Sequence, residues 1–543
     1  MIADLIVHNG TIFSADANNA IYSAMAMNEG CIVAIGDDAT ILALAGQTTD
    51  IINLHGQFVM PGLIDAHLHP FWGASQSLSC DLKHLILTKD EVLTHIKTYT
   101  QDYLTEHGDG WIIVRGWMQP DMLPIGSELT RADLDAIANN VPIIVFSNDC
   151  HILVCNGCAL SAFKTVTLPS NAYDHGILED GPAMQAFDEV TRYSEDYALT
   201  VARRAQKLLN AQGVTTVMDA RVDEVSLKAF KALMHSNELT LRVFGAREIP
   251  AKNFPTVDDI PKAIEDVSSF MATFSLPQTA TAPTTTVTHI KFFIDGVMQA
   301  PLHTALLREP YQIDANDHHG DCYYDHTLLS ALLTATYPLG WHPHMHTVGD
   351  AGIDFALNVI ESAHTAAPNP AVRPAFAHNE LTAPDQYARY RDLNVIAAQS
   401  LQWAGMDQAT HESFTELLGA TRMQGFECAG QLYDHGIRVA YGSDWPIDPL
   451  DLWGHFQVGM TRTLLDDDFK HDNDRDLSIL EVLRSVTIDA AYMLGSESII
   501  GSLEVDKFAD FVILNQNPLA IEPKAIHTIK PIAVYMGGKN ITI

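Results

Sequence analysis

Seven short apolar runs alternate with helical stretches between Val214 and Gly442, and no other feature of the 543-residue chain narrows its fold as much. The runs are Val214 to Met218, Leu241 to Phe244, Ile290 to Ile294, His342 to His346, Ala375 to His378, Val395 to Ala398 and Val439 to Gly442. Helical stretches such as Ile353 to His364 and Ile479 to Met493 lie between or after them, and a helix over Glu195 to Ala211 stops at Gly213, just before the first run. A further strand ending at Asp65 makes eight. Repeated strand and helix predict a parallel sheet, and eight units predict a closed (β/α)8 barrel, with a doubly wound open sheet as the alternative.

Both ends of the chain read differently. Residues 1–60 alternate short apolar runs with turn signals such as Asn9-Gly10 and Gly36-Asp37-Asp38, and residues 496–543 carry Phe511 to Leu514 and Ile532 to Tyr535 among prolines. This spacing predicts short antiparallel strands. The barrel is placed at 61–495. Its segment from about 71 to 191 is too long for a barrel loop and is expected to form an inserted subdomain over the barrel mouth. Within it, Thr88-Lys89-Asp90-Glu91 is a capping-box sequence that starts a helix. Ser275 to Thr288, rich in Thr, Ala and Pro, is expected as a surface loop or short linker.

Charge excludes some partners. The 67 acidic residues against 32 basic ones give a formal charge of −35, which repels phosphate backbones and anionic lipid and so disfavours nucleic-acid and membrane partners. Seven scattered cysteines form no disulfide framework. The start lacks the basic region and apolar core of a signal peptide, and the apolar runs are far shorter than the ~20 residues that span a bilayer. A soluble, cytoplasmic protein is expected.

The strongest local motif is Pro61-Gly62-Leu63-Ile64-Asp65-Ala66-His67-Leu68-His69-Pro70. Residues two apart in a strand share a face, so His67 and His69 can present both imidazoles to one point. Neutral imidazole is the commonest ligand of zinc-like ions, although an isolated HxH is more often incidental. Single polar residues also close later strands: Lys291, His346, His378 and Asp444. Barrel enzymes gather catalytic groups from several strand ends at one face. Lys291 sits in an apolar strand, where an unpaired ammonium is costly, so its charge must be paired, lost or converted; a surface lysine is the alternative. His344 reads as a core histidine or as support for a ligand, and Asp444 could instead cap a helix.

These motifs resemble the amidohydrolase superfamily, in the amidohydrolase family 3 branch that includes N-substituted formamide deformylases and other metal-dependent hydrolases. The resemblance runs through Asn9-Gly10, Pro61 to His69, Gly213-Val214-Thr215-Thr216, Lys291 with Asp295-Gly296, His346 with Gly349-Asp350, Gly442-Ser443-Asp444 and Ala509-Asp510-Phe511-Val512. It implies an α/β fold in which both termini build a small β-sandwich beside a distorted (β/α)8 TIM barrel. One or two divalent metals are implied, zinc first among them. His67, His69 and Asp444 would bind one, His346 and His378 the other, and Lys291, as a carboxylysine, would bridge them. In one departure, Ala377 stands where many relatives carry Glu before the strand-six histidine. Homodimers are common among relatives.

The implied reaction is hydrolysis of a non-peptide C–N bond in a small linear amide or N-acyl compound, by attack of metal-bound hydroxide on the carbonyl. Asp444 would take the proton and pass it to the leaving amine. His151, Asn156, Trp117, Gln399 and Trp403 are candidates for substrate contact, with ordinary packing as the alternative for each. A deaminase or cyclic-amide hydrolase on the same scaffold is the rival enzyme, and a non-catalytic scaffold the rival of another class. Intact candidates at all six ligand positions weigh against the scaffold.

Overall fold

The computed structural model describes residues 2–119, 122–148, 152–191, 194–299, 302–312 and 317–542. The chain divides into two compact units: Met1–Leu68, Gln206–Ser443 and Asp451–Ile543 form the first, and His69–Ala205 with Asp444–Leu450 the second.

The first unit contains the expected sheet of eight strands: β1 (Leu63–Leu68), β2 (Val214–Asp219), β3 (Arg242–Glu248), β4 (Thr285–Phe293), β5 (His342–Thr347), β6 (Ala375–His378), β7 (Ile396–Gln399) and β8 (Val439–Tyr441). Neighbours follow chain order and every pairing is parallel. The last strand returns to the first, where the Ser443 N–H donates to Asp65 Oδ1 at 3.0 Å. A Cβ at Gly442 would lie 2.5 Å from that of His67, so this approach requires glycine. Parallel strands covered on both faces read as continuous apolar runs rather than alternating ones, which is why they were visible in the sequence. Small residues line one packed layer: Ala66, Ala246, Ala375, Ala377, Ala398 and Ala440 meet Ala490 and Met493 of the helix Ile488–Met493.

Two sheets flank the barrel in sequence. One orders Cys31–Gly36, Ala24–Asn28, Leu5–His8 and Asp50–Asn53; the other orders Lys539–Asn540, Pro531–Met536, Phe511–Leu514, Phe58–Pro61, Thr11–Phe13 and Ile21–Tyr22. Val7, Met25 and Ile32 from the first share a core with Ile12, Val59, Phe511 and Ile513 from the second. The C-terminal motif has a structural reason. Asp510 takes a two-point hydrogen bond from the fully buried Arg242 that opens β3, at 2.5 and 3.0 Å, and also accepts from Gly537 N–H at 2.8 Å. Losing either partner would strand a buried charge, at a cost of ~3–5 kcal/mol.

Two expectations need correcting. Residues 285–288 belong to β4 rather than to a loop: Thr285 and Val287 alternate inward and pair with β3, and β-branched residues suit a pleated surface. The helix expected over 479–493 is two, Ile479–Ser485 and Ile488–Met493, because the Val486 carbonyl turns aside to accept the Ile64 N–H at 2.8 Å.

The second unit runs wider in sequence than the expected 71–191. Its sheet orders Ile177–Glu179, Ile152–Cys155, Ile143–Ser147, Ile112–Trp117 and Cys80–Asp81. The helix Lys89–His107 begins at the Thr88/Glu91 capping box and ends at Gly108, whose φ of 82° suits glycine. Among the described residues no helix is long and apolar enough to cross a membrane.

Candidate metal centre

Strand ends in the first unit bring four imidazoles and one lysine together. His67 Nδ1 and His344 Nε2 are 2.6 Å apart, so one carries the proton and the other accepts it. The His378 ring lies 5.0 Å from His67 and 4.4 Å from His346. His346 Nε2–H donates to the Gly296 carbonyl at 3.0 Å, which leaves the lone pair on Nδ1. In the ladder, Lys291 is level with His344 and Phe293 with His346. Lys291 is 1% exposed, with Nζ 4.8 Å from the centre of the Phe293 ring.

Burial, followed by the nearby Lys291 charge, lowers the pKa of His67 well below the usual histidine value and that of His346 to about 3. His378 is likewise lowered well below that value, by burial and then by His346, His67 and Lys291. These rings are therefore neutral at pH 7, the state in which imidazole offers a lone pair to a cation. Neutral nitrogen donors clustered in a buried pocket fit a divalent metal by their donor chemistry.

In the second unit, His69 Nε2 stands 3.6 Å from Asp444 Oδ1. His69 falls one residue past the end of β1. Its φ of −124° and ψ of 73° depart from the extended strand expected of HxH, and it becomes the N-cap of the helix Pro70–Ser77. Its N–H donates to the Trp445 carbonyl at 2.8 Å. Asp444, 5% exposed, has φ of 53°, and His378 and Asn379 have φ of 78° and 53°. Non-glycine residues held in this left-handed region cluster at functional sites. At His378, support comes not from the residue before it, Ala377, but from Trp403, which stacks on its ring at 5.3 Å.

The candidates for substrate contact divide. Trp403 joins the histidine cluster. Gln399 ends β7 fully buried, and its Nε2 donates to Glu427 Oε2 at 2.7 Å. The Asn156 amide is taken up by backbone: its Oδ1 accepts from the Ile143 and Ala159 N–H groups and its Nδ2 donates to the Ala138 and Val141 carbonyls. Trp117, 3% exposed, packs with Val114, Ile143 and Leu129 in the second unit's core. His151 lies outside the described residues.

Sequence reasoning missed Glu427. It is 2% exposed, its backbone is left-handed (φ 50°), and Arg462 Nη1 donates to its carbonyl at 2.8 Å. Burial, then the Glu380 charge, pushes its carboxyl well above the ordinary value of 4.5. The signal was available: an acid in the apolar run Phe426-Glu427-Cys428-Ala429 invites the desolvation argument that singled out Lys291. Because the folded state holds this proton more tightly, the group's contribution to stability is full below about 4.5 and declines as pH rises through the folded value. Glu427→Gln should remove that decline and stabilise the protein at pH 8 by ~1–3 kcal/mol. Urea unfolding at pH 5 and pH 8 checks this; the same pH dependence in parent and variant would refute it.

The model of the family described as "Amidohydrolase family" matches residues 50–541. The chain is similar to Protein LONG AFTER FAR-RED 3 of Arabidopsis thaliana, 27% identical over 100% of this chain and 92% of that protein. It is also similar to an N-substituted formamide deformylase of Arthrobacter pascens, 23% identical over 98% of this chain and 97% of that one. The fold resembles the crystal structure of an uncharacterized metal-dependent hydrolase from Pyrococcus horikoshii, with a TM-score of 0.77 at 23% identity, covering 96% and 99% of the two chains.

Proposed function

We propose, for a chain that belongs to the amidohydrolase family and is thereby a hydrolase of carbon–nitrogen bonds, that the bond it cleaves is a linear amide or N-acyl bond in a small molecule. The observation that carries this reading is the group of neutral, buried imidazoles around Lys291 at the ends of barrel strands. The likeness to a formamide deformylase over almost the whole chain supports the linear amide.

The residues that would hold metal are His67, His69 and Asp444 for one ion and His346 and His378 for a second, with Lys291 as a carbamate between them. His67, His378 and Asp444 are all buried, and each offers one ligand atom. When bound, a divalent ion makes water acidic near neutral pH and polarises a carbonyl. The chain supplies the rest. His344 fixes the His67 ring through Nδ1, and Gly296 fixes the His346 ring through Nε2–H. The Asp444 carboxylate accepts the proton of the attacking water and returns it to the nitrogen of the departing amine. Trp403, stacked on the His378 ring, holds that ring's orientation.

The test is metal analysis of the purified protein together with a panel of N-formyl, N-acyl, cyclic and aminated compounds, scored separately for ammonia, formate and larger acids. Stoichiometric divalent metal with acid and amine released from linear substrates is expected. Ammonia alone would establish a deaminase instead, and a metal-free protein inert on the whole panel would establish a scaffold.

A further inference from the structure

His378 stands where the chain leaves β6, and both it and the next residue, Asn379, are left-handed, with φ of 78° and 53°. Asparagine tolerates this region; histidine enters it only where the surroundings hold it there. The direction of a Cα–Cβ bond follows the backbone angles, so the aim of the His378 imidazole depends on what fixes these two residues.

Asn379 is the fixed point. It is 1% exposed, and both its backbone groups and both ends of its amide are engaged. Its N–H donates to the Thr347 carbonyl of β5 at 2.9 Å, and its carbonyl accepts from Thr382 Oγ1 at 3.2 Å. Its Nδ2 donates to the Phe376 carbonyl at 2.8 Å, which turns Oδ1 the other way, where it accepts from the Tyr390 hydroxyl at 2.7 Å. Tyr390 lies on the helix Tyr387–Asp392 and is fully buried. Its ring also meets that of Phe376 edge-on, with centres 5.3 Å apart. One side chain thus grips the end of β6 on either side of His378, by a ring contact before it and a hydrogen bond after it.

We propose that Tyr390 is a positioning residue for the metal centre: through Asn379, its hydroxyl locks the left-handed turn that aims His378 towards His346 and His67. The proposal rests on the reading of His378 as a metal ligand. Trp403 stacks on the ring of that ligand, and Tyr390 holds the backbone that carries it.

Zinc titration of the metal-stripped full chain by calorimetry tests it, with His378→Ala marking the zinc that depends on this ligand. Tyr390→Phe deletes one oxygen and keeps the ring against Phe376. It should weaken the His378-dependent zinc ~10-fold or more, as loss of an outer partner of a metal ligand does, and leave any other zinc at parental affinity. Asn379→Gly removes the acceptor and adopts a positive φ without strain, so it should weaken the same zinc. The double variant should then bind zinc no more weakly than Asn379→Gly alone, because the bond is already gone. A tyrosine with a merely structural role would lower the melting temperature of the metal-free variant and leave zinc affinity where it was. Parental zinc affinity in Tyr390→Phe, or fully additive losses in the double variant, would overturn the proposal and leave the metal reading standing. Tyr390→Phe decides alone if Asn379→Gly fails to fold. Zinc binding unchanged in His378→Ala would overturn the metal reading of that residue, and the proposal with it.

Discussion

Asp444→Asn is expected to lower the turnover number by ~10²–10⁴ while leaving the protein folded. Asparagine has nearly the shape of aspartate and tolerates a positive φ such as the 53° found here, so the backbone at the end of β8 keeps its course. What disappears is the proton acceptor. Asp444 is 5% exposed, and its Oδ1 is 3.6 Å from His69 Nε2. The pH profile separates this role from a merely structural one. If Asp444 carries the proton, the variant loses the acid limb of the parent's kcat profile as well as its rate. Near-parental turnover between pH 5 and pH 9 would remove Asp444 from the reaction.

Replacing His67 and His69 together by Ala is expected to abolish both metal retention and hydrolysis. The two positions belong to different compact units. The His67 ring shares a buried hydrogen bond with His344, whose loss costs ~1–3 kcal/mol, so the double variant should remain folded with a lowered melting temperature. Metal content by elemental analysis, read beside the far-ultraviolet spectrum, decides the matter; a folded double variant that keeps full metal and activity would move the centre elsewhere. Lys291→Ala in the same measurement addresses the carbamate. Metal should fall from two equivalents to one or none, with partial return on adding a short carboxylic acid. Undiminished metal without the lysine would rule out a bridging role.

The barrel was legible because its signals are local. A strand covered on both faces is a short apolar run whatever lies beside it, and a helix declares itself by a 3.6-residue period and its caps, as at Thr88 and Glu91. Lys291 was legible for a related reason: a charge inside an apolar strand is anomalous wherever that strand packs. Glu427 met the same criterion and was overlooked.

What only the tertiary structure decided is which groups meet. His344 could be core or support until the closed sheet set it 2.6 Å from His67, 277 residues away in the chain. Trp117 and Asn156 could equally have lined a pocket. The residues that enclose Trp117 and saturate Asn156 lie on other strands and helices, so no local pattern reports them. Gln399 acquires its partner Glu427 in the same way, across 28 residues. Local periodicity follows from backbone geometry and belongs to the sequence. The identity of neighbours follows from closing the sheet and packing helices against it, a choice made jointly by distant segments.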